Sequence, residues 1–190
     1  MTESMSGHFL VAESELGDPN FVETVVLIVS HDSDGAFGLV VNRKSALTLG
    51  EAAPKYHGSA LAGIPMYVGG PVEQEYLFTL HSGLPPGEGG EYEKQILPGV
   101  IFEPDFQSME QSIVGRPERK PPEIRLFAGY SGWGGGQLEA ELAEGAWIVM
   151  PATADLVFNP NPREGWKQAL RKKGGIYWAL AETGYKPSLN

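Results

Sequence analysis

The sequence predicts an α+β fold on a mixed, largely antiparallel sheet, and three observations predict it. Glu23–Ser30 (ETVVLIVS) and the following AFGLVVN are both β-rich, and the short Asp32-Ser33-Asp34-Gly35 turn between them makes an antiparallel hairpin. Strands and helices mix without strict βαβ alternation, which argues against a doubly wound sheet. The stretch Glu123–Val149 reads as strand, glycine loop, helix and strand, with five glycines (Gly129, Gly132, Gly134, Gly135, Gly136) around Tyr130 and Trp133.

The elements follow in order. His8–Glu13 alternates in polarity and reads as the first strand, ahead of the hairpin. Thr48 and Glu51 have the spacing of a capping box, and Pro54 limits the helix they begin. Met66–Val68 and Glu75–His81 are strands separated by Gly69-Gly70-Pro71. Leu84–Gly90 reads as a loop, and Ile96–Phe102 as one β run. Phe106, Met109 and Ile113 recur at helical spacing behind Pro104 and Asp105. Arg116–Glu123 is an exposed connector, because prolines and charges do not make a core strand. A helix is expected over Gln137–Glu144. Another is expected over Pro162–Lys173, capped by Asn161, with Glu164 completing the box and Gly174 or Gly175 ending it.

At 190 residues the chain suits one domain, 1–190, with a core that needs no staples. It has no cysteine, which removes disulfides, thiolate metal sites and a cysteine nucleophile. The N-terminal MTESMSGHFLVAESEL lacks a basic region followed by an apolar core, and the apolar run Val25–Val29 is too short to span a bilayer. A cytosolic protein without membrane contact is expected. The net charge of −10 makes direct DNA binding unexpected, since phosphate contacts depend on lysine and arginine. Arg43 is the first basic residue in the chain. Arg163, Lys167, Arg171, Lys172 and Lys173 form a local basic run, most of it placed to oppose a helix dipole.

The chemical motifs are weak. The glycine loop has neither the lysine nor the hydroxyl of a P-loop and lacks the last glycine of a dinucleotide fingerprint, so it reads as a tight corner carrying Trp133. His8, His31, His57 and His81 show no metal-ligand spacing, and neither a metal nor a cofactor is expected. His31 and His81 read as turn anchors. Ser131 resembles a nucleophile elbow, except that Trp133 stands where glycine is required. Asn42-Arg43, at the end of a strand, suits a ligand anion as well as it suits an internal salt bridge to Asp32, Asp34 or Glu51.

Four segments, Gly7–Arg43, Val68–His81, Gly129–Leu142 and Ala146–Phe158, together resemble the AlgH/YqgE family of bacterial proteins in order and spacing. Lys44 departs from the proline expected after the Asn-Arg pair, and Gly135 stands where the family often has proline. The resemblance implies an AlgH-like α+β fold with a bifurcated, half-barrel sheet flanked by helices. It implies no established activity, only a suggested part in transcriptional regulation.

The residues favour a non-catalytic module that binds a small ligand or a protein partner. Its candidate ligand site joins Asn42, Arg43, Gly69, Gly70, Pro71, His81, Tyr130, Trp133 and Gln137. One alternative is a transcriptional regulator acting through a partner rather than on DNA. The other is a hydrolase with a site built from His31 or His81.

Overall fold

The computed structural model describes residues 4–83, 93–114, 121 and 123–188. Ten strands form one sheet: β1 His8–Ala12, β2 Val25–Asp32, β3 Gly35–Val40, β4 Lys44–Thr48, β5 Pro65–Val68, β6 Val72–His81, β7 Lys94–Leu97, β8 Val100–Glu103, β9 Ile124–Gly134 and β10 Trp147–Pro151. The main path runs β10-β1-β2-β3-β9-β6-β8-β7 and curls into a half-barrel. Every pairing is antiparallel except β5 with β9, which is parallel. The expected hairpin is present, with Asp32 opposite Gly35.

β9 is the strand on which the sheet divides. Its second half pairs with β3, from Ser131 to Gly134, and its first half pairs with β5, from Leu126 to Ala128. β6 runs along the strand's other edge. Gly69 and Gly70 lie in the fork between β3 and β5. The Gly69 N–H donates to the Ala128 carbonyl, and its carbonyl accepts from Val40 N–H and from the Ser131 hydroxyl. A Cβ on Gly70 would lie 2.1 Å from the Tyr130 carbonyl carbon and oxygen, and one on Gly69 would lie 2.3 Å from the Gly129 carbonyl oxygen. Only glycine permits main chains to approach this closely.

Alternation along the strands fills the two faces. The concave face carries Phe9, Val11, Leu27, Leu39 and Phe127, and it is closed by Trp166, Ala169, Leu170 and Leu180 of α5 (Gly165–Lys173) and α6 (Ile176–Thr183). Behind β1–β3, Leu10, Val26, Ile28 and Val40 pack with Trp133, Trp147 and with Leu138 of α3 (Gln137–Ala143). Behind β6 and β9, Ile124 and Leu126 pack under Phe106, Met109 and Ile113 of α2 (Phe106–Val114) and beside Leu49 of α1 (Leu49–Ala52). Each fully buried Leu, Ile or Phe among these contributes about 1.5–3 kcal/mol.

Several local expectations are corrected. The run Ile96–Phe102 is two strands, because Gly99 at φ +77° turns the chain between β7 and β8. Most of the glycine loop is strand, since β9 continues through Gly134 and only Gly135 and Gly136 turn before α3. The Pro162 helix opens as a 3-10 turn, Pro162–Glu164, without a side-chain cap from Asn161, and α5 proper begins at Gly165. The capping box at Thr48 holds: the Glu51 carboxylate accepts both the Thr48 N–H and its hydroxyl. The loop expected at Leu84–Gly90 lies outside the described residues, as does most of the connector Arg116–Glu123. β4, α6 and the short α4 (Ala154–Val157) carry no strong sequence signal and were not expected.

The fork sets a prediction. Gly70→Ala should lower stability by about 3 kcal/mol, because the added methyl meets backbone and not a side chain that can turn away. Gly63→Ala, where a Cβ meets nothing within 4 Å and φ is not positive, controls for the loss of a glycine alone. Chemical denaturation of the two variants checks this; equal losses would show that the fork is not tightly packed.

Candidate functional site

Asn42 and Arg43 follow β3, and both are spent on backbone. Asn42 accepts from Val25 N–H at 2.8 Å and donates to the Glu23 carbonyl at 2.9 Å. The Arg43 guanidinium donates to the Asn20 carbonyl, to Pro19 at 3.3 Å and to Val22 at 3.4 Å. Burial lowers its pKa and Asp18 raises it, and a guanidinium remains charged throughout. No salt bridge joins Arg43 to Asp32, Asp34 or Glu51, the internal alternative to a ligand anion. Three carbonyls in one loop match the fork of donors better than one carboxylate would. The two side chains strap residues 18–24 to the end of the sheet.

The strapped loop walls a cleft of about 530 Å³ with Glu13, Val22, Glu23, Trp166, Leu180 and Glu182. A second cleft, about 570 Å³, shares Glu13 and Leu16 and reaches Glu15, Glu144, Tyr177 and Lys186. Lys186 pairs with Glu13 at 2.7 Å and lies over the Tyr177 ring, so it pins the chain after α6 between the two clefts. The Glu13 hydrogen bond raises the Lys186 pKa. Glu15, Glu23 and Glu144 form no salt bridge among the described residues. The groove is therefore predominantly acidic, over an apolar floor of Trp166 and Leu180.

The other residues singled out in the sequence do not converge. Tyr130 and Trp133 lie on opposite faces of β9. Tyr130 stacks on Phe37 at 4.7 Å and meets Phe78 edge-on. Trp133 is 6% exposed and packs with Phe21 and Trp147. One oxygen of Glu141 accepts both indole N–H groups, from Trp133 and Trp147, each at 2.8 Å. Its other oxygen accepts from Gln137, whose own carbonyl accepts from Gly134 N–H. Gln137 thus closes the corner. Pro71 is exposed beyond the glycine fork.

His81 lies at the far end of β6, opposite Ile101 and Ile124. It is 1% exposed; Nδ1 accepts from Gly83 N–H, while Nε2 and the neighbouring Thr79 hydroxyl have no partner. Burial lowers its pKa from 6.5 to about 4. His31 uses both nitrogens: Nδ1 accepts from Met5 N–H, which leaves Nε2 to donate to Glu139 at 3.1 Å. Ser131 donates to Gly69 and Ser82 accepts from Glu123 N–H, so neither hydroxyl is held by a histidine. Among the described residues no group of three or more His, Asp or Glu is placed to hold a metal.

Sequence reasoning passed over Arg125. It is 4% exposed, donates to the Val157 and Asn159 carbonyls at 2.6 Å each, and lies beneath the Tyr67 ring. A single arginine inside the apolar run of β9 was its visible signal. It fixes the chain from α4 into α5.

Two predictions follow from these environments. Trp133→Ala should cost about 3–5 kcal/mol, as loss of a buried aromatic does, whereas Trp133→Phe should cost about 1–2 kcal/mol for the lost N–H donor. Thermal or urea melts separate them; a Trp133→Ala melt close to wild type would show an exposed ring. The depressed His81 pKa gives a pH dependence. Between pH 6.5 and 4 the unfolded chain binds the proton and the folded chain does not, so stability falls as pH falls, by up to about 1.4 kcal/mol per pH unit. Urea midpoints at pH 7, 6 and 5 should show that slope, and His81→Gln should flatten it.

The AlgH-like family model (DUF179) matches residues 9–178. A UPF0301 protein from Myxococcus xanthus is 38% identical over 90% of this chain and 92% of its own length. One from Chlorobium luteolum is 35% identical over 97% and 94%. The solution structure of the AlgH protein from Pseudomonas aeruginosa superposes with a TM-score of 0.75 at 30% identity, covering 99% of this chain and all of that one. A crystal structure from Corynebacterium diphtheriae shares the fold at 22% identity, with a TM-score of 0.77 over 95% of this chain and 93% of its own. Half-barrel, fork and sequence agree: the chain belongs to the AlgH-like, UPF0301 family of uncharacterised bacterial proteins.

Proposed function

We propose that the protein is a non-catalytic binding module that takes a basic segment of a partner protein into the groove around residues 13–23. The observation that carries this reading is the pair of adjoining clefts that share Glu13 and Leu16 and hold the unpaired carboxylates Glu15, Glu23 and Glu144. Clefts of this volume suit a ligand, and an open groove with an apolar floor suits an extended chain. Asn42 and Arg43 serve the groove as positioning residues, because they hold its loop without lining it. Regulation of transcription, suggested by the resemblance, would then run through the captured partner. Most described cations are already committed to carbonyls or carboxylates, which leaves little for a DNA backbone.

The test is affinity capture from the source bacterium with the wild-type chain and with Glu23→Lys/Glu144→Lys. Both positions are exposed, so the variant should melt with wild type. A partner retained by wild type should be lost about tenfold or more by the variant, since reversed charges repel a basic segment. Equal retention would reject the groove. Ester hydrolysis by the purified chain that His31→Ala abolishes would instead favour the hydrolase.

A further inference from the structure

A third cleft differs in sign from the other two. It has a volume of about 400 Å³ and lies between β4 and the 3-10 turn that leads into α5, with Lys44 and Ser45 on one wall and Asn161 and Arg163 on the other. No aspartate or glutamate lines it. Among the described residues, the lysines and arginines without a hydrogen-bond, ion-pair or ring partner are Lys44, Arg163 and Lys167. Two of those three, Lys44 and Arg163, line this cleft. The Asn161 side-chain amide is unpartnered as well, and Ser45 uses its oxygen to accept from Leu47 N–H, which leaves its O–H free to donate. A protein of net charge −10 has ample carboxylate to neutralise two cations, yet here they are left unpaired.

The walls are fixed. Arg125 holds the Val157 and Asn159 carbonyls, the Asn159 side chain accepts from Asn161 N–H and donates to Gln168, and Pro160 and Pro162 restrict the turn. On the opposite wall, Lys44 pairs with Tyr67 of β5, and the carbonyl of Arg43 accepts from Val68 N–H. We propose that this cleft binds the phosphate group of a small phosphate monoester. A planar guanidinium and a point-charge ammonium on opposite walls suit a compact tetrahedral dianion better than a single carboxylate. The amide and hydroxyl supply further neutral donors, and the proline and Ala46 surfaces provide an apolar face for the organic part. None of the residues that line this cleft lines the acidic groove.

The test is a ¹⁵N-resolved NMR titration of the full chain with ribose 5-phosphate, alongside inorganic phosphate and ribose. Saturable shifts are expected at Lys44, Ser45, Ala46, Asn161 and Arg163 with both phosphates and not with ribose. Tighter binding of the sugar phosphate than of inorganic phosphate would assign the organic face, and equal binding would assign the phosphate contacts alone; both support the anion site. Lys44→Gln and Arg163→Gln should each weaken binding about tenfold, the value of one hydrogen bond to a charged group. Lys44→Arg should retain it. Both side chains are exposed and unpartnered, so the melting temperature should not move. Shifts spread over Lys167 and the other surface cations, or affinity unchanged in Arg163→Gln, would overturn the proposal. So would tighter binding to phosphatidylglycerol vesicles or duplex DNA that those variants weaken equally.

Discussion

The structure depends on one close approach, that of Gly69 and Gly70 to β9. An ordinary strand has room for one neighbour on each edge. β9 accommodates two successive neighbours on one edge, β3 and then β5, only because the chain between them lies almost on top of its carbonyls. Backbone groups at such a junction must still be satisfied. Gly69 does this with three bonds, to Ala128, Val40 and Ser131, so the fork costs few unpaired donors or acceptors. From that point β1–β3 and β10 curl one way and β6–β8 the other, and the concave face between them receives α5 and α6.

Polar side chains bonded to backbone do the rest of the positioning. Asn42, Arg43, Arg125 and Trp166 all bond main-chain groups far away in sequence. Such contacts hold loops in place without adding apolar area, and a buried donor left unmade is costly. Arg125 gains further from the Tyr67 and Phe158 rings, which compensate a guanidinium taken out of water. His81 is the contrasting case. Its Nε2 and the Thr79 hydroxyl are buried without partners, and the imidazole is kept neutral.

The fold was legible where local chemistry and tertiary packing agree. The β2–β3 hairpin, the Thr48–Glu51 box and the apolar spacing of Phe106, Met109 and Ile113 all matched, because each is decided within a few residues. The glycine stretch was harder to read. Gly132 and Gly134 look like a loop, but pairing with β3 keeps them in the strand, and only Gly129, at φ +70°, departs from the extended backbone. The candidate site was legible only in part. Asn42 and Arg43 were conspicuous as a polar pair after a strand, yet their partners are carbonyls, which have no sequence signature. Tyr130 and Trp133 were grouped by proximity along the chain, and the pleat sends them to opposite faces. The clefts themselves arise from segments more than a hundred residues apart, such as Glu13 with Lys186, and no periodicity reports that.

The acidic groove and the basic cleft are built from the same two short segments. Asn42 and Arg43 hold the groove's loop, and the next residue, Lys44, lines the basic cleft. On the other segment Asn161 and Arg163 line the cleft, and Trp166 and Lys167 line the groove. The segments meet at Gly165, where a Cβ would lie 2.9 Å from the Asn42 Cβ. Glycine is needed at that point because α5 must approach the strap closely enough for Trp166 to reach the Ala12 carbonyl at 2.8 Å. A larger residue there would push α5 away from Asn42 and so disturb one wall of the groove and one wall of the basic cleft together.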